Sequence, residues 1–241
     1  MLSRLIQHLT ENTLPESQCG FRKDRSTIDM IFAARQVQEK SREQNVDLYT
    51  AFIDLSKAFD TVNKELLWTM LEKVGVPPRY LNILCQMLDG MQARVLVGGV
   101  WSEPFSVQMG IKQGCVLAPV LFNIFLLAVA QLSHNALGPE AGVGIRYRLD
   151  GSLFNIRRLE AYTKTLTTQV IELQYADDCA IMTPNRESMQ RALDVISGIY
   201  SSLGLQINTQ KTEIFVQPID PPIEAPQFYI NGDPIKIVTQ F

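Results

Sequence analysis

Two adjacent carboxylates, Asp177 and Asp178, constrain this 241-residue chain more than any other feature of its sequence. They stand between two largely apolar runs, residues 171–175 and 179–182, each long enough to form a strand. The pattern predicts a β-hairpin whose tight turn carries residues 176–178. Adjacent aspartates are common in exposed turns, so the segment alone has two interpretations. It is either a solvated turn or a metal site in which a divalent cation relieves the repulsion between the carboxylates.

A third carboxylate occurs in a similar setting. Asp54 ends the mostly apolar and aromatic run 48–53, which is typical of a central strand. A charge at the end of a buried strand is costly unless something pairs with it, so Asp54 is the natural partner of Asp177 and Asp178. Carboxylate oxygens are hard ligands, which favours Mg²⁺ or Mn²⁺ over zinc. The alternative for Asp54 is a helix cap, and Asp60 is interpreted as a turn cap rather than a ligand.

Composition limits the class of protein. An apolar content of 46% is enough to bury a substantial core in one domain. A net charge of −3 argues against a protein that coats nucleic acid over its whole surface, but leaves room for a local basic groove. The four cysteines have no paired spacing and indicate reduced thiols of an intracellular protein. The most membrane-like run, residues 116–132, contains Pro119 and Asn123 and predicts a buried core helix, so no membrane partner is expected.

The rest of the chain alternates helical and strand patterns. Apolar residues at helical spacing predict helices over residues 2–9, 27–43, 64–74, 79–88, from 117 onward, and 186–203. Strand patterns predict a hairpin over residues 92–107, a strand over 211–216 and a second hairpin around Asn231-Gly232. The order of these elements predicts an α+β domain with a central antiparallel sheet and packed helices.

Five sequence blocks carry a resemblance to a known family. They are residues 18–29, residues 52–60 (motif A), residues 113–123 (motif B), Tyr175-Ala176-Asp177-Asp178 (motif C) and residues 203–212 (motif D). In this order, and over nearly the whole chain, they resemble the reverse transcriptase domain of non-LTR (LINE-type) retrotransposons. Any one block is weakly specific, whereas five in the family's order are strongly specific.

The resemblance implies a particular version of the predicted fold, the palm of a right-hand polymerase. Residues 1–50 would be a fingers-like segment and residues 51–241 mainly palm. The chain begins after the position of the upstream finger motifs and stops inside the primer-grip region, so partial fingers and a missing thumb are expected. The resemblance also implies an intracellular protein of the nucleus and/or cytoplasm.

The activity implied is RNA-directed DNA synthesis with an RNA template, a DNA primer and dNTPs. Asp54 and Asp177 would be the main ligands of two Mg²⁺ ions, with Asp178 assisting and Mn²⁺ as an alternative metal. A catalytically inactive fragment that binds nucleic acid or another partner is the second interpretation. A third, RNA-templated RNA synthesis, is disfavoured by motif C and by Phe59.

Four further residues receive substrate-binding roles from the resemblance. Phe59 would exclude the ribose 2′ hydroxyl as a sugar gate, with core packing as its alternative. Gln113 and Gly114 would lie beside the nascent base pair, with a plain loop entering a core helix as the alternative. Lys211 would assist the leaving group, and its alternative is a solvent-facing lysine on a strand.

Two basic segments supply five predicted nucleic-acid-binding residues, which are Arg22, Lys23, Arg25, Arg146 and Arg148. In the first segment, the resemblance favours contact with a template or an incoming triphosphate over a solvated turn. The second segment, residues 142–159, would contact the primer or template backbone. A solvated edge hairpin with its turn at residues 149–152 has equal support there.

Overall fold

A computed structural model describes residues 14–148, 165–220 and 226–239. Five helices lie within these ranges: Thr27–Glu43 (α1), Lys64–Lys73 (α2), Pro78–Leu88 (α3), Ala118–Leu137 (α4) and Arg186–Ser202 (α5). Each begins within about two residues of a helix predicted from the sequence, and α1, α2, α3 and α5 also end within about two residues of the predicted end, so those predictions are confirmed. The helix predicted over residues 2–9 lies outside the described residues.

Thirteen strands lie in the same part of the chain. They are Leu48–Ile53 (β1), Gln92–Ala93 (β2), Leu96–Val97 (β3), Val100–Trp101 (β4), Phe105–Ser106 (β5), Val143–Arg148 (β6), Thr165–Val170 (β7), Glu172–Tyr175 (β8), Asp178–Thr183 (β9), Glu213–Gln217 (β10), Tyr229–Ile230 (β11), Asp233–Pro234 (β12) and Lys236–Val238 (β13). Both predicted hairpins form, through the β2–β5, β3–β4 and β11–β12 pairs.

The central sheet has five strands in the order β13-β10-β1-β9-β8. The pairs β10–β1, β1–β9 and β9–β8 are antiparallel, as predicted. β13 is parallel to β10 and follows the β11–β12 hairpin in the chain. The sheet is therefore mixed at one edge rather than wholly antiparallel.

The strand β6 differs from its prediction. It pairs with β7 from Val143↔Val170 to Arg148↔Thr165, so its partner begins well after the predicted turn. A tight hairpin closed at residues 149–152 is therefore wrong for this strand, whose partner is reached only after residue 164. Residues 149–152 themselves lie outside the described residues.

The two faces of the central sheet have different neighbours, because side chains alternate along a strand. On one face, Ala51, Ile53 and Ile181 belong to the main core, which also contains the buried residues of α4 and α5. On the other face, Leu48 and Met182 belong to a smaller cluster with residues of α1 and β6. The helix α1 therefore covers the beginning of β1, and the end of β1 lies beside a groove described below.

The predicted core helix is confirmed as α4. Its side chains Phe122 and Phe125 are fully buried, and Pro119 lies in its first turn, where no backbone donor is needed. By length and composition α4 could cross a membrane, but 67% of its most apolar 18-residue window is buried inside the protein. Its apolar surface is therefore explained by packing within this domain.

Glu172 is a buried carboxylate on β8, only 9% exposed. Its Oε2 accepts a hydrogen bond of 3.3 Å from Gln174 Nε2. Burial raises the pKa of Glu172 to about 7. The protonated form is thus favoured in the folded protein, and the charged form opposes folding.

We expect Glu172→Gln to stabilise the protein at pH 8 and to have little effect near pH 4.5. Because the folded pKa exceeds the unfolded value, the stability that protonated Glu172 contributes is present below about pH 4.5 and is lost by about pH 7. The shift corresponds to about 3 kcal/mol. Urea unfolding at pH 5 and pH 8 measures the difference. Glu65→Gln, on the exposed surface of α2, is the matched control. The expectation would be contradicted if the free energy of unfolding differed between wild type and variant by the same amount at both pH values.

Candidate active site

The end of β1 is fixed by the segment that follows α5. Asp54 follows β1 directly, and its N–H donates to Thr212 Oγ1 at 3.3 Å. Its carbonyl accepts from the N–H of Asn208 at 2.8 Å. Thr212 is fully buried, so its hydroxyl is shielded from water. Motif D therefore holds the backbone that carries the Asp54 carboxylate.

The β8–β9 turn contains two residues, Ala176 and Asp177, between the paired residues Tyr175 and Asp178. The prediction of a hairpin is confirmed, but Asp178 is the first residue of β9 rather than part of the turn. Ala176 has a φ of 56°, in the left-handed region where glycine is usual for such turns. The turn thus holds a strained residue immediately before Asp177.

Strand pairing brings the carboxylates together. Ile53 pairs with Cys179 across β1 and β9. The next step in this antiparallel register places Asp54 opposite Asp178, with Asp177 at the adjoining turn. The pKa of Asp178 is raised, first by burial and then by the negative charges of Asp177 and Asp54. Three carboxylates from motifs A and C therefore repel one another at one end of the sheet.

This donor set suits a hard divalent cation, because it offers carboxylate oxygens whose repulsion a cation would relieve. Within residues 14–148, 165–220 and 226–239, no group of three or more His, Cys, Asp or Glu side chains is preassembled for a metal. The carboxylates thus lie near one another without converging on one point. Substrate oxygens and water would complete such a coordination shell, as is usual for Mg²⁺.

Lys211 directs its ammonium group towards the site. Its Nζ lies 3.9 Å from Asp54 Oδ2, and its side chain is 70% exposed. Its N–H donates to the carbonyl and Oδ1 of Asn208, in a turn before β10. The interpretation of Lys211 as a strand residue is therefore wrong, because the strand begins only at Glu213. At this exposure the ion pair adds little stability.

A groove of about 930 Å³ opens beside the carboxylates, between α1 and the sheet. Its lining includes Asp54, Asp178 and Lys211 on the site side. On the α1 side it includes apolar and basic side chains, among them Met30, Ile31, Ala34, Arg35 and Arg42. The site is thus open to a ligand larger than a single metal ion.

Phe59 lies between two other aromatic rings. Its ring stacks on Phe122 with centroids 4.4 Å apart, and it meets Phe21 edge-on at 6.5 Å. Phe59 is half-buried and packs against the main core, so the core-packing contact exists. Part of the side chain remains accessible, which leaves the predicted role as a sugar gate sterically available.

Gln113 and Gly114 form an exposed turn before α4. Gly114 has a φ of 86°, which favours glycine. The loop begins against motif A, because the N–H of Ile111 donates to the carbonyl of Phe59 at 2.9 Å. The structure thus places the loop just before motif B beside Phe59, and leaves Gln113 and Gly114 towards solvent.

The predicted basic contacts divide into different environments. Arg22 is largely buried, with a side chain 9% exposed, and its Nη1 donates to the carbonyls of Pro15 and Gln18 at 2.7 and 2.9 Å. Its guanidinium thus bonds to the backbone of its own segment, and contact of Arg22 with a template or triphosphate stays a prediction. Arg25 forms an exposed ion pair of 2.7 Å with Glu16.

Of the remaining three cations, two lie at the surface and the third has a side chain that the structure does not describe. Lys23 is exposed in the turn before α1. Arg146 is exposed on β6, and its N–H donates to Gln44 Oε1 at 3.0 Å. Arg148 is the last residue of β6 and pairs with Thr165 of β7, and its side chain lies outside the described part of the structure. Contact with nucleic acid by these residues stays a prediction.

Sequence reasoning missed three residues that contact the catalytic turn or its neighbours. Gln18, Gly20 and Asn123 were quoted only as members of motif blocks. The structure places Gln18 and Gly20 directly against Ala176 and ties Asn123 to Gly20. Two of the sequence blocks in the family's order contain these three residues, and this was the sequence feature from which a role near the site could have been predicted.

Comparison with known proteins agrees with this geometry. Residues 1–228 match the profile of the family described as "Reverse transcriptase (RNA-dependent DNA polymerase)". The chain is 25% identical over 223 residues to the Pol polyprotein of type-2 retrotransposable element R2DM from Drosophila melanogaster, covering 90% of this chain and 19% of that protein. It is 23% identical over 204 residues to the polymerase of mobile element jockey from the same species, covering 82% and 19%. The chain thus spans about a fifth of the length of these relatives.

Solved structures show the same fold. Telomerase from Candida albicans, in complex with a fragment of telomeric RNA, aligns with a TM-score of 0.63 at 13% identity, over 96% of this chain and 36% of that one. Apo telomerase from Candida tropicalis aligns with a TM-score of 0.61 at 14% identity, over 96% and 42%. The α+β palm predicted from the sequence is confirmed, and with a family match over most of its length this chain belongs to the reverse transcriptase family.

Proposed function

We propose that the chain is the polymerase domain of a non-LTR retrotransposon protein and catalyses RNA-directed DNA synthesis. The observation that carries the proposal is the placement of Asp54 opposite Asp178, beside Asp177, at an open groove. Membership of the reverse transcriptase family supports the same reaction. The RNA-bound telomerase neighbour supports an RNA template, whereas the DNA primer and dNTPs follow from the chemistry of the family.

Asp54, Asp177 and Asp178 would hold the divalent metal ions that reverse transcriptases generally use. We propose Mg²⁺, two ions, with Mn²⁺ as a substitute. Bound there, the ions would favour the ionised primer 3′ hydroxyl and neutralise charge on the triphosphate. Hard carboxylate ligands support this assignment. So does their mutual repulsion, which adds to the larger effect of burial in raising the pKa of Asp178.

The chain's own residues would position the reactants. The turn at residues 208–211 holds Lys211 with its ammonium 3.9 Å from Asp54, where it could donate a hydrogen bond or a proton to the leaving phosphate. Phe59 would contact the sugar of the incoming nucleotide from its place on Phe122. The groove along α1 would accept the nucleic acid, and its Arg35 and Arg42 would face phosphate.

Primer extension tests the proposal. The purified chain is incubated with an RNA template, an annealed DNA primer, dNTPs and Mg²⁺, and the products are resolved by length. We expect extension with dNTPs that stops when EDTA is added. Asp177→Asn, argued in the Discussion, separates this chain's activity from that of a contaminant.

The competing functions predict other outcomes. A domain that only binds nucleic acid would shift the primer–template in a mobility assay and give no extension at any metal concentration. An RNA-templated RNA polymerase would extend with ribonucleotides in preference to dNTPs. Extension on RNA with dNTPs contradicts both.

Phe59→Ala is expected to increase ribonucleotide incorporation relative to dNTP incorporation. Truncation removes the ring that would meet a 2′ hydroxyl, and it also removes the stack on Phe122. The ratio of kcat/KM for a dNTP to that for the matching ribonucleotide measures the effect. Met70→Ala provides a control, because Met70 also packs partly buried against the same core. A ratio unchanged from the wild type would assign Phe59 to core packing alone.

A further inference from the structure

The strained turn that carries Asp177 is bound by a segment far away in the sequence. Residues 17–19 run alongside β8, where the N–H of Cys19 donates to the carbonyl of Gln174 at 3.0 Å. The N–H of Gln174 donates back to the carbonyl of Ser17 at 2.8 Å. The segment therefore extends the catalytic hairpin at its outer edge.

Gln18 bonds to both backbone groups of Ala176. The N–H of Ala176 donates to Gln18 Oε1 at 3.0 Å, and Gln18 Nε2 donates to the carbonyl of Ala176 at 3.3 Å. The same Oε1 accepts from the N–H of Gly20 at 2.8 Å, and Nε2 also reaches Gln174 Oε1 at 3.4 Å. Gln18 is 2% exposed, so water does not compete for these bonds. The oxygen and the nitrogen of the Gln18 carboxamide thus both bond to the turn.

These bonds hold Ala176 in a backbone conformation that is unfavourable for alanine. Ala176 has a φ of 56° and is 5% exposed. A left-handed alanine costs roughly 1–2 kcal/mol, so the surrounding structure must hold it. Gln18 supplies bonds on both sides of this residue, one position before Asp177.

Asn123 connects the same contact to the core helix α4. Its Nδ2 donates to the carbonyl of Gly20 at 2.7 Å, and its side chain is fully buried. Arg22 adds a second support, because its guanidinium binds the carbonyl of Gln18. The contact thus runs from motif B through residues 18–20 to motif C.

We infer that Gln18 is a positioning residue for catalysis: its carboxamide fixes the strained turn so that Asp177 is held for metal binding. The inference rests on the proposed function for its catalytic readout. The side-chain hydrogen bonds of Gln18 go to Ala176, Gly20 and Gln174 rather than to the carboxylates. Its loss should therefore weaken metal use more than nucleotide binding.

The test compares Gln18→Leu and Gln18→Glu with Gln190→Leu. Gln190 makes the same two bonds to a backbone, to the N–H and carbonyl of Tyr229 at 3.0 and 2.9 Å, away from the catalytic turn. Hydrogen exchange of the Ala176 amide, Mn²⁺ affinity by EPR, melting temperature, kcat, KM for dNTP and half-saturating Mg²⁺ are measured. Gln18→Glu keeps the acceptor for both N–H groups, so it carries the test if Gln18→Leu does not fold.

We expect folded Gln18→Leu to exchange the Ala176 amide faster, because it lacks the acceptor for that N–H, and both folded Gln18 variants to bind Mn²⁺ more weakly, because both lack the donor to the Ala176 carbonyl. Their kcat should fall by about tenfold to a hundredfold, with a higher half-saturating Mg²⁺ and a nearly unchanged KM. Gln190→Leu should lower the melting temperature without these changes. If the Gln18 variants bind Mn²⁺ more weakly than the wild type, and the wild type itself shows no extension, the inference is upheld and the proposed function is contradicted. Wild-type exchange of the Ala176 amide in folded Gln18→Leu, or wild-type Mn²⁺ affinity in the folded Gln18 variants, would overturn the inference.

Discussion

Replacing Asp177 by asparagine is expected to reduce the rate of primer extension by at least about 10³-fold. Stabilisation of a phosphoryl-transfer transition state by bound metal is worth several kcal/mol, and each 1.36 kcal/mol is a factor of ten in rate. Asparagine keeps the size of the side chain and loses its charge, so the effect would arise from metal binding rather than packing. Single-turnover extension with saturating primer–template measures it.

Stability measurements separate this loss from unfolding. Burial raises the pKa of Asp178, and the negative charge of Asp177 raises it further, so without metal Asp177→Asn removes a repulsion. In EDTA the variant should melt at or above the wild-type temperature, and Mg²⁺ should stabilise only the wild type. Asp60→Asn, in the exposed turn at the end of motif A, is the matched control and should extend within a few-fold of wild type. Extension by Asp177→Asn within tenfold of wild type would exclude this carboxylate from the chemistry.

The local elements around the site could be predicted because each has a local cause. An alternating apolar pattern interrupted by Asp177 and Asp178 forces a hairpin, and an apolar run ending at Asp54 forms a buried strand. Pairing of β1 with β9 could only be expected from the cost of an isolated charge and from the family resemblance. The structure supplies the register that places Asp54 opposite Asp178.

The contacts around the turn could not be predicted, because they join residues distant in sequence. The bond from Gln18 to Ala176 spans 158 positions, and no periodicity encodes it. Arg22 is a second case. A cation in a basic run indicates phosphate contact by composition, but composition does not report the bonds that this guanidinium makes to two backbone carbonyls. Side-chain roles in such segments depend on tertiary packing that local sequence does not report.

Replacing Gly20 by alanine is expected to destabilise the protein by about 1–3 kcal/mol and to reduce extension about 100-fold. A Cβ at Gly20 would lie 2.1 Å from the backbone nitrogen of Ala176 and 2.8 Å from its Cα. Backbone atoms on both sides prevent a simple side-chain rotation from relieving this overlap. The catalytic turn would move away from residues 18–20, and Asp177 would move with it.

Two further variants make this expectation specific. Gly198→Ala places a Cβ on α5 with no atom within 4 Å and should stabilise the protein by about 0.5–1 kcal/mol without changing extension. Ala176→Gly relieves the left-handed strain, and combined with Gly20→Ala it should restore part of the lost rate, since glycine lets the turn shift at lower cost. Urea unfolding and single-turnover extension of the wild type, Gly20→Ala, Ala176→Gly and the double variant measure the coupling between the two positions. Additive effects of the two substitutions would mean that Gly20 and Ala176 act independently, and that the turn is positioned by other contacts.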